Sequence, residues 1–250
     1  MARKVTIEKV VPFAQSEKNA KKFRNDLPVS DELREVMLNE VMLDFMKYTW
    51  ECCYLEYLPI LKEYVKDHDP KEEKQYGLVK NLFWWKIFYE SSQDFRNSFI
   101  EDYIADHYSK LSKTPILISW LRECKKSISK FYFVGYKFND YNLVVMDILD
   151  EKPLNVTILD PLAIAPRQGE IVMGTLLPLG DGLFTPIIDF YHFDYEARKD
   201  IAMCIHHYYD QHLNTSSMHD AFIHVLSAML QIERLVFLEQ QEKLLHNINS

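Results

Sequence analysis

Glycine is scarce in this chain. There are six in 250 residues, five of them between Gly135 and Gly182 and only Gly77 elsewhere. Loops that cradle nucleotide phosphates need clustered glycines, because only a chain without Cβ atoms lets backbone N–H groups crowd a phosphate. The sequence has no Gly-x-Gly-x-x-Gly, no Gly-Lys-Ser/Thr and no Gly-x-Ser-x-Gly elbow. His-Glu-x-x-His is absent, and so is the Glu-x-x-His that a helical di-iron centre requires. No cofactor is therefore expected. Four cysteines (Cys52, Cys53, Cys124, Cys204) form no Cys-x-x-Cys pair. That excludes a disulfide framework and a zinc knuckle, and reduced thiols fit a cytoplasmic protein. No apolar run approaches 18 residues and MARKVTIEKV lacks an apolar signal segment, so neither a membrane span nor a secretory leader is expected.

Positive charge is also short. The net charge of −8 disfavours non-specific binding to nucleic acid or to an anionic membrane. The deficit is uneven. Residues 1–24 carry seven basic side chains against Glu8 and Glu17, so the remainder of the chain is at −13. Residues 1–27 show no sustained period and read as a basic, loosely ordered arm with an extended piece at Val5–Val11. Arg3, Lys4, Lys18, Lys21, Lys22 and Arg24 are its candidate binding residues, for an acidic partner or nucleic acid.

What the chain does have is helical periodicity on both sides of a β-rich centre. Ser30 caps a first helix that carries Leu33, Val36, Met37, Val41 and Phe45 and continues past Trp50 to Tyr57, where Pro59 should kink or break it. Asp69-Pro70-Lys71-Glu72 reads as a capped helix start. Phe83, Trp84, Trp85, Phe88 and Tyr89 follow as a ring-rich core stripe. A third helix is expected from about Gln93, and Thr114-Pro115 opens a fourth that ends near Lys125-Lys126. Cys52 and Cys53 read as buried small hydrophobes. Glu101, Asp102, Asp106 and His107 read as a solvated face.

Residues 128–193 change character and hold five of the ten prolines. Asn139–Asn142, Asp150–Pro153, Pro166–Gly169 and Gly180-Asp181-Gly182 are turn signals. Leu154, Val156 and Ile158 alternate as in a half-buried strand. Gly174 inside a strand pattern points to a bulge or bend. Five short strands in this space imply a small curled or barrel-like sheet. Such barrels often bind nucleic acid, but this module has four basic and eight acidic residues, the wrong sign for a phosphate backbone. Helical spacing returns from Asp194. The last helix carries a seam at Met218, Phe222, Val225, Met229, Ile232 and Val236. That seam can pack on the bundle or make a homodimer contact.

Histidine supplies the one concentration of chemistry, with six of nine between His192 and His224. His206 and Asp210 are four apart on a helix. With Asp189, His192 and Asp194 just before it, they form a candidate metal-dependent hydrolase site; the alternative is a polar helix face.

Ser119-Trp120-Leu121, Phe131–Val134, Gly169–Val172, Gly174 and Leu176–Gly182 together resemble a segment found in uncharacterised bacterial helical proteins. Some of those carry a C-terminal SEC-C zinc motif, which this chain lacks because no cysteine follows Cys204. The resemblance spans about residues 115–190; it supports this architecture and carries over no active site. The expected fold is α+β: arm (1–27), helical bundle (28–127), antiparallel five-stranded sheet or barrel (128–193) and C-terminal helices packing back (194–250). The expected function is a non-catalytic binding or regulatory protein with a protein partner. A metal-dependent hydrolase and a nucleic-acid-associated protein are the alternatives.

Overall fold

The computed structural model describes residues 14–93 and 98–248. Arg3, Lys4 and the expected extended piece at Val5–Val11 lie outside the described residues.

The fold is α+β, a closed five-stranded barrel held between N-terminal and C-terminal helices. Helix α1 (Asp31–Glu35) starts at Ser30, whose hydroxyl accepts the Leu33 N–H. It runs through a π-helical segment (Val36–Met42) into α2 (Leu43–His68). Pro59 does not break α2. Leu55 and Pro59 share an exposed face, where the Leu55 carbonyl that proline leaves without a donor faces water. Asp69 does not open the next helix either. It closes α2 in the left-handed conformation, at φ 47°, and Pro70 follows the cap. Helix α3 spans Glu72–Gln93, so the expected start near Gln93 is this helix's end. Helix α4 (Phe99–Asp106) begins instead at Ser98, whose hydroxyl accepts the Glu101 N–H. Helices α5 (Tyr108–Leu111) and α6 (Pro115–Cys124) complete the N-terminal set. Phe83, Trp84 and Phe88 are buried, as expected of core. Of the cysteine pair only Cys53 is buried; its neighbour, about 100° further round the helix, is exposed.

The barrel strands are β1 (Ser129–Lys137), β2 (Asn142–Asp147), β3 (Pro153–Thr157), β4 (Ile171–Gly180) and β5 (Leu183–Pro186). Their order is β1-β2-β3-β5-β4, closed by a β1–β4 pairing. A sixth strand, β6 (Tyr191–His192), adds to β4. All these pairs are antiparallel except β3–β5, which is parallel. The expected last strand thus divides into β5 and β6.

Alternation sorts the barrel residues into two cores. Tyr132, Val134, Val145, Val156, Val172, Leu176 and Phe190 fill the interior. Phe131, Ile171, Met173 and Leu177 face outward onto the helices. Gly174 is not at a bulge, since β1 and β4 keep register through it. A Cβ there would lie 2.8 Å from Cδ1 of Phe190, so the missing side chain is the space for that ring. The register shifts fall at Gly135 and before Gly180.

From Ala14 onward the expected loose arm is an ordered clasp. Gln15 is buried; its amide donates to the Arg24 and Leu27 carbonyls (2.7 and 3.1 Å) and its side-chain oxygen accepts the Arg24 N–H (2.8 Å). The loop so formed seizes the β4–β5 turn. Asp181 N–H donates to Leu27 O (2.8 Å), and Gly182 N–H to Asn25 O (2.6 Å). Phe23 is buried, and its N–H donates to the Ser119 hydroxyl of α6.

Helices α7 (Arg198–Leu213) and α8 (Met218–Ile248) pack back on the core. The α8 seam is internal: Phe222, Val225 and Met229 are buried, and Ile232 and Val236 pack beside them. Leu235, Leu238 and Leu245 stay exposed on its second half. By length and composition Met218–Lys243 could cross a bilayer, yet its first turns supply core side chains here.

Two outcomes follow from this packing. Gly180 has φ +85° and an added Cβ would sit 2.3 Å from Val29 Cγ2, whereas Gly182 has φ +69° and open space. Gly180→Ala should cost about 3 kcal/mol in urea unfolding, strain plus clash, and Gly182→Ala only ~1–2 kcal/mol; equal costs would show that the arm does not dock. The second concerns His219, buried against the Tyr89 ring and beside Asp220. Burial pushes its pKa from 6.5 down to about 4, against the pull of Asp220. The unfolded chain therefore protonates first. The neutral ring's contribution, on the order of 3 kcal/mol, is full above the unfolded pKa and is lost as pH falls from about 6.5 to about 4. His219→Leu should flatten stability against pH in that window, measured as the urea midpoint.

Candidate functional site

The exit from the barrel, Asp189–Asp194, lines a cavity of about 540 Å³ between the first half of α3, the loop before β4 and the turn into α7. Three of the five candidate metal ligands, Asp189, His192 and Asp194, border this space. His206 and Asp210 do not; both are exposed on α7, whose inward face is Ile201, Ile205 and Tyr209. Among the described residues no three His, Cys, Asp or Glu side chains come together to hold a metal ion. The i,i+4 spacing put His206 and Asp210 on one helix face, but the apolar stripe turned that face to solvent.

His192 is instead engaged by Glu170. The His192 Nδ1 lies 3.2 Å from Glu170 Oε1, and Glu170 Oε2 accepts the Arg167 N–H at 2.7 Å. Burial works to raise the Glu170 pKa, but the His192 and Arg167 contacts outweigh it and hold the carboxyl below its usual range. The far nitrogen, Nε2, is buried with no partner among the described residues. A carboxylate-oriented imidazole can act as a general base or as a recognition group. The cavity wall contains no Ser, Thr or Cys side chain, so no hydroxyl–imidazole or thiol–imidazole pair of that kind is formed there.

Asp194 belongs to an ion-pair hub that ties three elements together. Lys74 Nζ of α3 donates to Asp194 Oδ1 (2.5 Å) and to Glu233 Oε1 of α8 (2.6 Å). Lys71 Nζ lies 2.7 Å from Asp194 Oδ2. The Tyr191 hydroxyl and the Asp194 N–H both donate to Glu233, at 3.0 and 2.5 Å. Burial would raise the Asp194 pKa; the two ammonium groups overcome that and lower it. Glu233 was not legible as a site residue, because a lone glutamate on a long helix carries no motif.

The remaining candidates are dispersed. Lys18, Lys21 and Lys22 are exposed, and Arg24 pairs with Asp26 at 2.6 Å. In the acidic cluster Glu101 pairs with Arg122 at 3.0 Å and Asp106 accepts the Tyr48 hydroxyl at 2.9 Å. His212 and His224 stack on each other at 4.5 Å.

A second feature lies on the outer barrel wall. Phe133, Tyr136, Phe138 and Tyr141 are exposed, with the Tyr136 and Phe138 rings edge-to-face at 4.9 Å. The β3–β4 loop continues the patch with Leu159, Leu162 and Ile164. Two hydrogen bonds hold that loop alongside: Ile158 N–H to Tyr141 O (2.7 Å) and the Gln168 amide to Gly135 O (3.1 Å). Ile164 also borders the His192 cavity.

No protein-family model, curated protein or solved structure matches this chain.

The hub makes a clear expectation. Asp194→Asn leaves a buried ammonium short of a counter-charge and should cost about 3 kcal/mol in urea unfolding. Lys71→Met, at the wetter end of the hub, should cost under about 1 kcal/mol. Added zinc, manganese or iron(II) should leave the melting temperature of the unmodified protein unchanged; a saturable rise would restore the metal site.

Proposed function

We propose that this chain is a non-catalytic binding module that docks a protein partner on the aromatic outer wall of its barrel. The observation that carries this reading is the seven large apolar side chains gathered on the β1–β2 hairpin and the adjoining β3–β4 loop. Phe138 is 66% exposed, Ile164 71% and Leu162 89%. Exposed apolar surface is tolerated singly, but seven such side chains on two adjoining segments favour an interaction site. Aromatic rings are the side chains that interface cores favour.

Charge favours a protein over nucleic acid as the occupant. Base-stacking platforms work beside a cationic track for the phosphates. Here the barrel segment 128–193 carries twice as many acidic as basic residues. Two of its four cations are already neutralised: Lys130 by Asp147 and Asp150, and Lys137 by Asp140. An apolar protein surface with neutral or basic surroundings complements this wall. The clasp at residues 14–30 leaves it open, since it grips the opposite, β4–β5 end.

A photo-crosslinking residue in place of Phe138, irradiated in cells that make the protein, should give a discrete protein adduct. A second probe at Glu242 on α8 should give no such adduct, and Tyr136→Ser in the first background should weaken it several-fold. An adduct with RNA at position 138, or the same adduct from both probes, would count against this reading.

A further inference from the structure

A second cavity, of about 360 Å³, lies between the π-helical segment and the outer barrel wall; Leu159 joins it to the edge of the aromatic patch, and it shares Lys80 and Asp189 with the His192 cavity. Its volume is at the lower end of small-molecule sites and too small for a helix or strand of a partner. Met42 and Met46 form one wall, and Leu177 and Ile187 the other. Methionine is the most adaptable apolar lining, and π-helical segments recur at functional sites because they displace side chains from the regular register.

Three polar groups on this wall have no hydrogen-bonding or ion-pair partner for their side chains among the described residues. The Thr185 hydroxyl is one. Thr185 is 3% exposed, pairs across the strands with Leu177 and shares its outward face, and its Oγ1 has no hydrogen bond. A buried hydroxyl without a partner costs free energy that a ligand atom can return. Lys80 is the second. The residue is half-buried, its ammonium stacks 4.8 Å over the Tyr76 ring, and no carboxylate of the described residues lies within 4.0 Å of it. Asp189 is the third. Its carboxylate has no ion pair or side-chain hydrogen bond, although its backbone carbonyl accepts from the Asn81 amide. Lys80 and Asp189 border the same opening without meeting each other. Asp160 is also there, but one of its oxygens is occupied by the Leu162 N–H at 2.8 Å.

We infer that this cavity binds a free α-amino acid with an aromatic side chain carrying a polar atom, its carboxylate on Lys80, its ammonium on Asp189 and its ring between the methionine and barrel walls with the polar atom toward Thr185. A simple anion fits the rim poorly, because two carboxylates oppose one ammonium. A simple amine leaves Lys80 unanswered. A zwitterion meets both, and the deep hydroxyl accepts from an indole N–H or a phenol.

The test is calorimetric titration of the full chain with L-tryptophan, indole-3-propionate and tryptamine. L-tryptophan should bind saturably, and loss of either the ammonium or the carboxylate should weaken binding about tenfold or more, as expected for a charge-assisted hydrogen bond. Lys80→Met should abolish the advantage of L-tryptophan over tryptamine, and Asp189→Asn its advantage over indole-3-propionate. Thr185→Val, which keeps the shape and removes the hydroxyl, should weaken L-tryptophan about tenfold while leaving the free protein at least as stable as before. The inference is overturned if none of the three compounds binds saturably. It is equally overturned if tryptamine or indole-3-propionate binds as tightly as L-tryptophan, or if the Lys80 and Asp189 variants, folded by circular dichroism, leave the ranking unchanged.

Discussion

Strand β4 has no exposed residue along its whole length of ten, and the rest of the molecule is arranged to satisfy that constraint. A strand buried on both faces must be covered twice, once by a barrel interior and once by another layer. The interior cover is the closed sheet, with the Phe190 ring seated over Gly174. The outer cover is the helical layer, reached through Ile171, Met173 and Leu177. Polar ties hold the two covers in register. The Trp120 indole donates to Pro178 O at 2.8 Å, and the Ser127 hydroxyl to Leu176 O at 2.8 Å. Both take up strand carbonyls that have left the ladder, at the end where a proline and a bulge interrupt it. The clasp at residues 14–30 then closes the β4–β5 end, where three successive residues with positive φ leave backbone N–H groups in need of acceptors.

The same constraint explains where charge is buried. Strand β6 must leave β4 and enter α7 across the first half of α3 and the middle of α8. At that crossing the chain carries Lys74, Asp194, Glu233 and Tyr191, each answering another. A hydrophobic contact at this point would fill space as well, but it would set no direction. Interlocked charges fix which turn of α8 faces which turn of α3, the register role best attested for buried ion pairs. The concentration of aspartate and histidine at this exit has a structural origin for Asp194 and an open valence for His192.

Much of this was legible in the sequence, and what was missed has a common cause. The α+β class, the barrel-like centre, the ring-rich core stripe of α3 and the turn at Gly180–Gly182 all rest on local signals: period, glycine placement and side-chain volume. The errors lie where tertiary contact overrides a local rule. Pro59 should kink or break the helix, with a short continuation beyond, but α2 runs on through it, and an exposed face lets water replace the lost donor. Asp69-Pro70 has the composition of a helix start, yet a left-handed residue followed by proline is equally a stop. The arm at residues 14–30 has no period because its order comes from one buried amide, Gln15, bonded to backbone groups nine to thirteen residues away. Gly174 looked like a bulge because the ring it accommodates is sixteen residues further on.

The candidate sites follow the same division. Spacing placed His206 and Asp210 together, but spacing along one helix cannot say which face a second helix covers, and Ile201, Ile205 and Tyr209 decided that. The aromatic wall was invisible as a site because β1 reads as a single Phe/Tyr-rich strand. Its odd-numbered positions divide between cover and solvent only once the helices stop short: Phe131 lies under the helical layer, and Phe133 beyond it is exposed. Burial of β4 therefore has a cost at the other end of the barrel. A helical layer wide enough for ten residues of one strand leaves the β1–β2 hairpin uncovered. Tyr136, Phe138, Tyr141, Leu162 and Ile164 stay exposed there, and the proposed docking reading rests on that exposure.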